Sequence, residues 1–342
     1  MADLVSLDEI RAAAERLRGV TVRTPLLAFP GAALAAGPPA LLIKPESLQP
    51  TGAFKLRGAY NAIAALVADS RPPGVVAHSS GNHGFAVGYA AALLAVPAAI
   101  VVPDTAPPVK TDLIKSVGAE LVVVAPTLAA RIEASASIAR DRGYAEIPPF
   151  DDRRVIAGQG TVGLEIAEDL ATGPDARPPA AVLVPVGGGG LVSGIAVAVK
   201  ALRPGTRVIG VEPELAADAR DSLRSGARVA WAAADTVRTA ADSLRVERVG
   251  ELTFPHIKAL VDDIVTVSEQ ELLEAVRRLA REGRLVAEPG GAVAVAAALF
   301  RDSAELGLSS GATASPVVAV LSGGNIDPTL LAELLGGSSY TG

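Results

Sequence analysis

A lysine two residues ahead of an arginine, a Ser/Asn-rich loop, four consecutive glycines and a Ser-Gly-Gly-Asn motif are the parts of this chain that could do chemistry. The first lies in Gln49-Pro50-Thr51-Gly52-Ala53-Phe54-Lys55-Leu56-Arg57-Gly58-Ala59. It reads as a turn entering a helix, with Thr51 or a neighbour as cap and Lys55 in the first turn. A cation there meets the positive end of the helix dipole, with Arg57 close by in sequence. Both effects favour the neutral amine, the form that attacks an aldehyde. By itself the segment reads as a solvated surface lysine; it gains meaning only in company.

The loop Ser79-Ser80-Gly81-Asn82-His83-Gly84 follows a strand-like run and opens a helical pattern. Free backbone N–H groups and small hydroxyls at such a point make a cradle for a carboxylate. Ser80 can donate or accept a proton, and Asn82 offers both amide functions. An N-cap with nothing bound accounts for the same residues. His83 is one of three histidines in a chain without a Cys/His cluster, which argues against a catalytic metal centre. We read it as structural, orienting the loop.

Gly187-Gly188-Gly189-Gly190 joins the apolar run ending Val184-Pro185-Val186 to an Ala/Val helix starting at Leu191. Consecutive glycines cost conformational entropy and pack nothing, so a loop turning its amides to an anion, a phosphate above all, accounts for them. A dinucleotide site competes, since Glu212 ends the next strand about 20 residues on. Yet no window completes G-x-G-x-x-G: Gly187-x-Gly189 is followed by Val192, and Gly188-x-Gly190 by Ser193. Ser322-Gly323-Gly324-Asn325 follows another strand, Val317 to Leu321, where open α/β sheets place ligands. A plain turn would look the same.

The elements that must hold these residues alternate. Val75 to His78, Ala98 to Val102, Leu121 to Val124, Ala181 to Val186, Arg207 to Glu212 and Val317 to Leu321 read as strands. Helical patterns follow through Leu94, over Lys110 to Val117, around Leu128 to Asp141, and over Leu191 to Leu202, Ser268 to Glu282 and Gly291 to Phe300. Such alternation implies parallel sheets with right-handed crossovers, an α/β fold. Candidate boundaries lie at Ser70-Arg71-Pro72-Pro73 and near Pro148-Pro149-Phe150-Asp151.

Composition narrows the rest. With 342 residues the chain suits two domains, and 50% apolar against 3% aromatic residues means cores of small side chains. A net charge of −6 without basic runs excludes an electrostatic footprint for nucleic acid or membrane. The absence of cysteine excludes disulfides and thiolate chemistry. Met1-Ala2-Asp3-Leu4 lacks signal-peptide character, and Ala86 to Ile100, broken by Pro97, reads as buried rather than spanning. A cytoplasmic location is expected.

In this order the segments resemble the serine/threonine dehydratase (ammonia-lyase) and serine racemase family of fold-type II pyridoxal-phosphate enzymes, over Leu4 to Leu335. Ile156-Ala157-Gly158-Gln159-Gly160-Thr161 and Glu288-Pro289 match further landmarks of that family. The resemblance implies a tryptophan synthase β-like fold: two open twisted α/β domains with the active site between them. Residues 1–73 and 152–335 would form the large cofactor-binding domain, 74–151 a smaller mobile one, and 336–342 a frayed tail. It implies that Lys55 attaches pyridoxal 5′-phosphate, that Phe54 packs by its ring, and that Asn82 bonds the ring hydroxyl. Gly187, Gly188, Gly189, Gly190 and Leu191 would hold the phosphate through their amides, with Ser322 facing the pyridine nitrogen. Ser79, Ser80, Asn82 and His83 would bind the substrate carboxylate, and Ser80 serves as opposite-face acid/base in relatives that racemise. Glu212, the Ala216 carbonyl and Asp218 fall where relatives bind Mg²⁺ or Ca²⁺.

Three departures stand out: Ala53 for the usual Ser, Phe85 beside the substrate loop, and Ala241-Asp242-Ser243 where Ala-Asp-Gly is frequent. The implied reaction is loss of water from L-threonine or L-serine, giving a 2-keto acid and ammonia. Serine racemisation, or dehydration of another hydroxy-amino acid such as 3-hydroxyaspartate, is the alternative, and the implied assembly is a homodimer. A ligand-binding protein that keeps the fold without catalysis is the third reading, and joint retention of Lys55, Ser80, Asn82, the glycines and Ser322 speaks against it.

Overall fold

The computed structural model describes residues 3–30, 41–79, 81–106, 108–171, 177–308 and 315–336, with the backbone alone at 108–110. In chain order the strands are β1 (Leu27–Ala28), β2 (Leu41–Pro45), β3 (Val75–His78), β4 (Ala98–Pro103) and β5 (Glu120–Val124), then β6 (Ala145–Glu146), β7 (Ala181–Pro185), β8 (Arg207–Pro213), β9 (Asp263–Val267) and β10 (Val317–Leu321). Six of them form one sheet in the order β1-β2-β10-β7-β8-β9, and four form another, β5-β4-β3-β6. Every pairing is parallel except that of β1 with β2. The smaller sheet arises wholly from the segment between the helices Lys55–Asp69 and Arg153–Asp169.

The larger sheet shows why its strands are apolar throughout. Every residue of β7 and β10 is buried, as expected where helices cover both faces of a parallel sheet. Leu183, Ile209, Ala319 and Leu321 pack on one side with helix Pro289–Phe300. Val182, Val184, Val318 and Val320 pack on the other with helix Gly190–Leu202. Period-two alternation thus assigns each residue to one of two cores. Small residues let the layers close: a Cβ at Gly194 would run into the Ile156 carbonyl of helix Arg153–Asp169.

Several expected details differ. Thr51 does not cap helix Lys55–Asp69; its hydroxyl donates to the Ala53 carbonyl (3.4 Å), and no side chain caps that helix. The Phe54 N–H is instead taken by the Ser322 carbonyl (3.0 Å). Helix Asn82–Leu93 also starts, at Gly81, without a side-chain cap among the described residues, and Ser80 lies outside them. Ser268 caps helix Glu269–Arg278 in a reciprocal box with Glu271, and the chain then widens into a π turn over Leu279–Gly283. Gly336 completes helix Pro328–Gly336, while 337–342 of the expected tail lie outside the described residues. No helix among the described residues is long and apolar enough to cross a membrane.

Candidate active site

The C-terminal ends of parallel strands are where side chains and free amides of successive loops converge. Four of these ends carry the motifs: the loop after β2 leads to Lys55, β3 to Ser79 and Asn82, β7 to the glycines, and β10 to Ser322. Main-chain bonds stitch two of them together. Ala53 pairs with Gly323, Phe54 N–H donates to Ser322 O, and Gly324 N–H donates to Gly52 O (2.8 Å). The third joins through side chains: Asn325 Nδ2 donates to Asn82 Oδ1 (2.8 Å) and to Thr51 O (2.9 Å). Asn82 Nδ2 in turn donates to Glu288 Oε1 (2.6 Å), so the Asn82 amide is held by both ends.

Lys55 is half-buried, and its amine donates to the Pro149 carbonyl (2.7 Å) and lies 5.1 Å from the Phe54 ring centroid. Burial brings its pKa down to about 8, against the pull of the Glu288 carboxylate. Arg57 is not the cause expected from its place in sequence. Its guanidinium turns into a buried ion network with Glu46 and Glu165, away from the amine's chemistry. Attack on an aldehyde requires the neutral amine, and this shift makes that form far more populated near neutral pH than in an ordinary lysine.

The glycine loop reaches the same centre through Phe150, the residue after the lysine's acceptor. A Cβ at Gly188 would collide with the Phe150 ring, and one at Gly190 would sit 3.0 Å from Phe150 Cβ. Gly189 has φ +92°, a conformation that only glycine takes freely, and its carbonyl-side turn starts helix Gly190–Leu202. Gly188, Gly189, Gly190 and Leu191 are buried, with Gly187 partly exposed. A side-chain-free loop at a helix N-terminus suits a phosphate, and an amine of lowered pKa beside it suits an aldehyde. These residues therefore fit a phosphate-bearing aldehyde cofactor.

His83 is buried, with Nε2 donating to the Ile147 carbonyl (2.8 Å) and Nδ1 without a partner among the described residues. Burial, aided by the nearby Lys55 charge, lowers its pKa to about 3, so the ring is neutral and orients the loop rather than carrying charge. Ser79 Oγ accepts the Gly81 N–H (3.2 Å). Ser80 lies outside the described residues.

Glu212 and Asp218 come together at the end of β8, both buried. Glu212 accepts the N–H groups of Ala219 (3.0 Å) and Arg220 (2.8 Å). Burial, with Asp218 beside it, holds its carboxyl well above the usual range. Both Asp218 carboxylate oxygens are buried without a well-formed hydrogen bond among the described residues, and burial pushes that carboxyl up to about 7 against the weaker pull of the Asp218 and Val249 N–H groups. Ala216 is buried in the turn between them. Among the described residues no three His, Cys, Asp or Glu side chains are grouped to hold a metal, so a cation here would draw on two carboxylates and main chain.

Residue types alone did not reveal the Pro149 carbonyl, a backbone atom, or the tie between Asn82 and Glu288, which are 206 positions apart. The Glu288-Pro289 landmark was the one available signal for the latter.

The two sheets and this site define a fold-type II pyridoxal-phosphate enzyme. A family model described as "Pyridoxal-phosphate dependent enzyme" matches residues 17–323, and the chain belongs to that family. It is 39% identical to an L-threonine ammonia-lyase of Thermotoga maritima over 335 residues, covering 97% of this chain and 78% of the relative. It is 38% identical to a serine racemase of Arabidopsis thaliana, covering 95% and 94%. Among solved structures, a threonine deaminase from T.th. superposes with a TM-score of 0.86 at 44% identity, covering 94% of this chain and 99% of that one.

Proposed function

We propose that this enzyme removes water from L-threonine or L-serine, giving a 2-keto acid and ammonia, with Lys55 as cofactor anchor and proton carrier. The observation that carries this reading is a lysine amine whose pKa is lowered to about 8, held beside the motif loops by the Pro149 carbonyl. Bound pyridoxal phosphate supplies an electron sink that makes the substrate α-proton acidic. The chain's own residues do the rest. Gly187 to Gly190 and Leu191 hold the phosphate by their amides, and Phe54 flanks the ring. Asn82, locked between Asn325 and Glu288, presents its amide to the ring hydroxyl. Ser322 offers the ring nitrogen a neutral partner, which stabilises less negative charge than a carboxylate and favours prompt loss of the β-hydroxyl. Ser79, Asn82 and the buried His83 shape the carboxylate-binding loop, and the Lys55 amine takes the α-proton.

Glu212, the Ala216 carbonyl and Asp218 would hold Mg²⁺ or Ca²⁺, hard cations suited to oxygen donors. The orphaned Asp218 carboxylate supports this, and the charge supplied would offset two buried acids. We assign residues 74–151 to a smaller domain that moves against the rest, and family analogy points to a homodimer.

A panel of L-serine, L-threonine, D-serine and 3-hydroxyaspartate, read for ammonia, keto acid and product chirality, tests the reaction. L-threonine and L-serine should give equal ammonia and keto acid, abolished by Lys55→Ala. An active Lys55→Ala enzyme overturns the role of Lys55. D-serine accumulating faster than ammonia would favour racemisation, the activity named for the Arabidopsis relative, and would give this chain's Ser80 the role of second acid/base.

A further inference from the structure

The glycine loop is aimed by a hydroxyl that belongs to none of the motifs. Thr253, fully buried, donates from Oγ1 to the Gly188 carbonyl (2.7 Å), and Gly250 N–H donates to that same oxygen (3.2 Å). In a trans peptide the carbonyl oxygen and the following N–H point in opposite directions, and none of the peptide bonds described is cis. Fixing the Gly188 oxygen toward Thr253 therefore fixes the Gly189 N–H on the opposite side of the loop. A Cβ at Gly189 would lie 2.8 Å from Thr253 Oγ1, so only glycine lets the hydroxyl close on the loop.

Thr253 is itself held from two directions. Ser193 Oγ donates to its carbonyl (3.3 Å) from the helix that the glycines open. Asp151, from a distant part of the chain, accepts the N–H groups of Glu251 (2.9 Å), Leu252 (2.8 Å) and Thr253 (3.3 Å) where helix Thr253–Leu260 begins. Asp151 ends the tripeptide whose first member, Pro149, receives the Lys55 amine and whose second, Phe150, lies against Gly188. One short stretch, running between β6 and helix Arg153–Asp169, thus sets amine and glycine loop against each other.

We propose that Thr253 is a positioning residue for cofactor phosphate recognition, acting through the Gly188–Gly189 peptide and registered to Lys55 by Asp151. This rests on the glycine loop being the phosphate site. The test titrates the protein, freed of cofactor, with pyridoxal 5′-phosphate and with pyridoxal, which carries the same aldehyde without the phosphate. Thr253→Val should weaken the phosphorylated ligand about tenfold, the weight of one well-placed hydrogen bond, while pyridoxal is unchanged. Thr253→Ser, which keeps the hydroxyl, should recover most of the loss. Asp151→Ala should move the preference the same way by a smaller factor. A Thr253→Val protein with wild-type preference, or with both ligands weakened equally, overturns the proposal. Should Thr253→Val not fold, an unchanged preference in Asp151→Ala overturns the registration by itself. Wild-type protein that does not prefer the phosphorylated ligand refutes the phosphate reading of the glycines instead, so the two failures are distinct.

Discussion

Two buried charge clusters lie in the larger part of this molecule, and they are built on opposite terms. In the first, Lys44, Glu46, Arg57 and Glu165 balance two cations against two carboxylates. Glu46 Oε1 accepts from Thr24 Oγ1 (2.7 Å) and Arg57 Nη2 (2.9 Å), and Oε2 from Arg57 Nε (2.7 Å) and Gln49 Nε2 (3.0 Å). Glu165 takes Arg57 on both oxygens and Lys44 on one. In the second, Glu212 has only backbone N–H partners, and Asp218 has no well-formed hydrogen bond to either oxygen among the described residues. Electrostatics follows: Arg57 and Lys44 outweigh the cost of burial and lower the Glu46 pKa, whereas burial raises both carboxyls of the second pair. The first cluster is complete as built and pins the start of the Lys55 helix to β2 and helix Arg153–Asp169. In the second, the Arg220 charge lowers the Glu212 pKa by less than burial and Asp218 raise it, and that excess of buried negative charge is the physical case for a cation there.

Breaking the complete cluster should have the largest effect. Arg57→Met strands Glu46 and Glu165 without their guanidinium, and chemical denaturation should show a loss of about 3–5 kcal/mol. A loss under 1 kcal/mol would mean the network is not closed as described. The incomplete cluster should respond to ions. Mg²⁺ or Ca²⁺ at about a hundredfold excess over Kd should stabilise the protein by about 2.7 kcal/mol relative to EDTA, seen as a rise in Tm. Asp218→Asn should remove that rise while costing little in EDTA; a variant that keeps the full response places the cation elsewhere.

His83 stands between these extremes, with one ring nitrogen partnered and one not. Its pKa falls from 6.5 unfolded to about 3 folded. Between those values the unfolded chain binds a proton that the folded one does not, so stability drops as pH falls, by up to about 1.4 kcal/mol per unit. His83→Gln should flatten the stability profile between pH 6 and pH 4 by roughly that slope. Parallel profiles for variant and wild type would place the acid sensitivity elsewhere.

What the sequence made legible was whatever violated ordinary local preference. Four adjacent glycines bring no side chain to a core and cost conformational entropy, and Ser-Gly-Gly-Asn after an apolar run brings little, so both announced a site. Strands such as Ala181–Pro185 and Val317–Leu321 were legible because burial on both faces leaves no polar residue to confuse them. Interactions distant along the chain were not. Lys44 meets Glu165 across 121 positions, and neither residue type marks the pairing. The helix Arg153–Asp169 hid for a related reason: its glycines and buried Gln159, Thr161 and Glu165 blur an apolar stripe while serving close packing and the ion network. Thr51 was misplaced as a cap because main chain from Ser322 does that work, and a carbonyl has no signature in sequence.

The central claim is that the Lys55 amine is the covalent anchor of the cofactor. Borohydride reduction of the holoenzyme, followed by peptide mapping with mass spectrometry, tests it directly. The account predicts a single phosphopyridoxyl group on the peptide containing Lys55, absent after prior replacement of that residue by Ala. The label on any other lysine, or undiminished label in the variant, would contradict it.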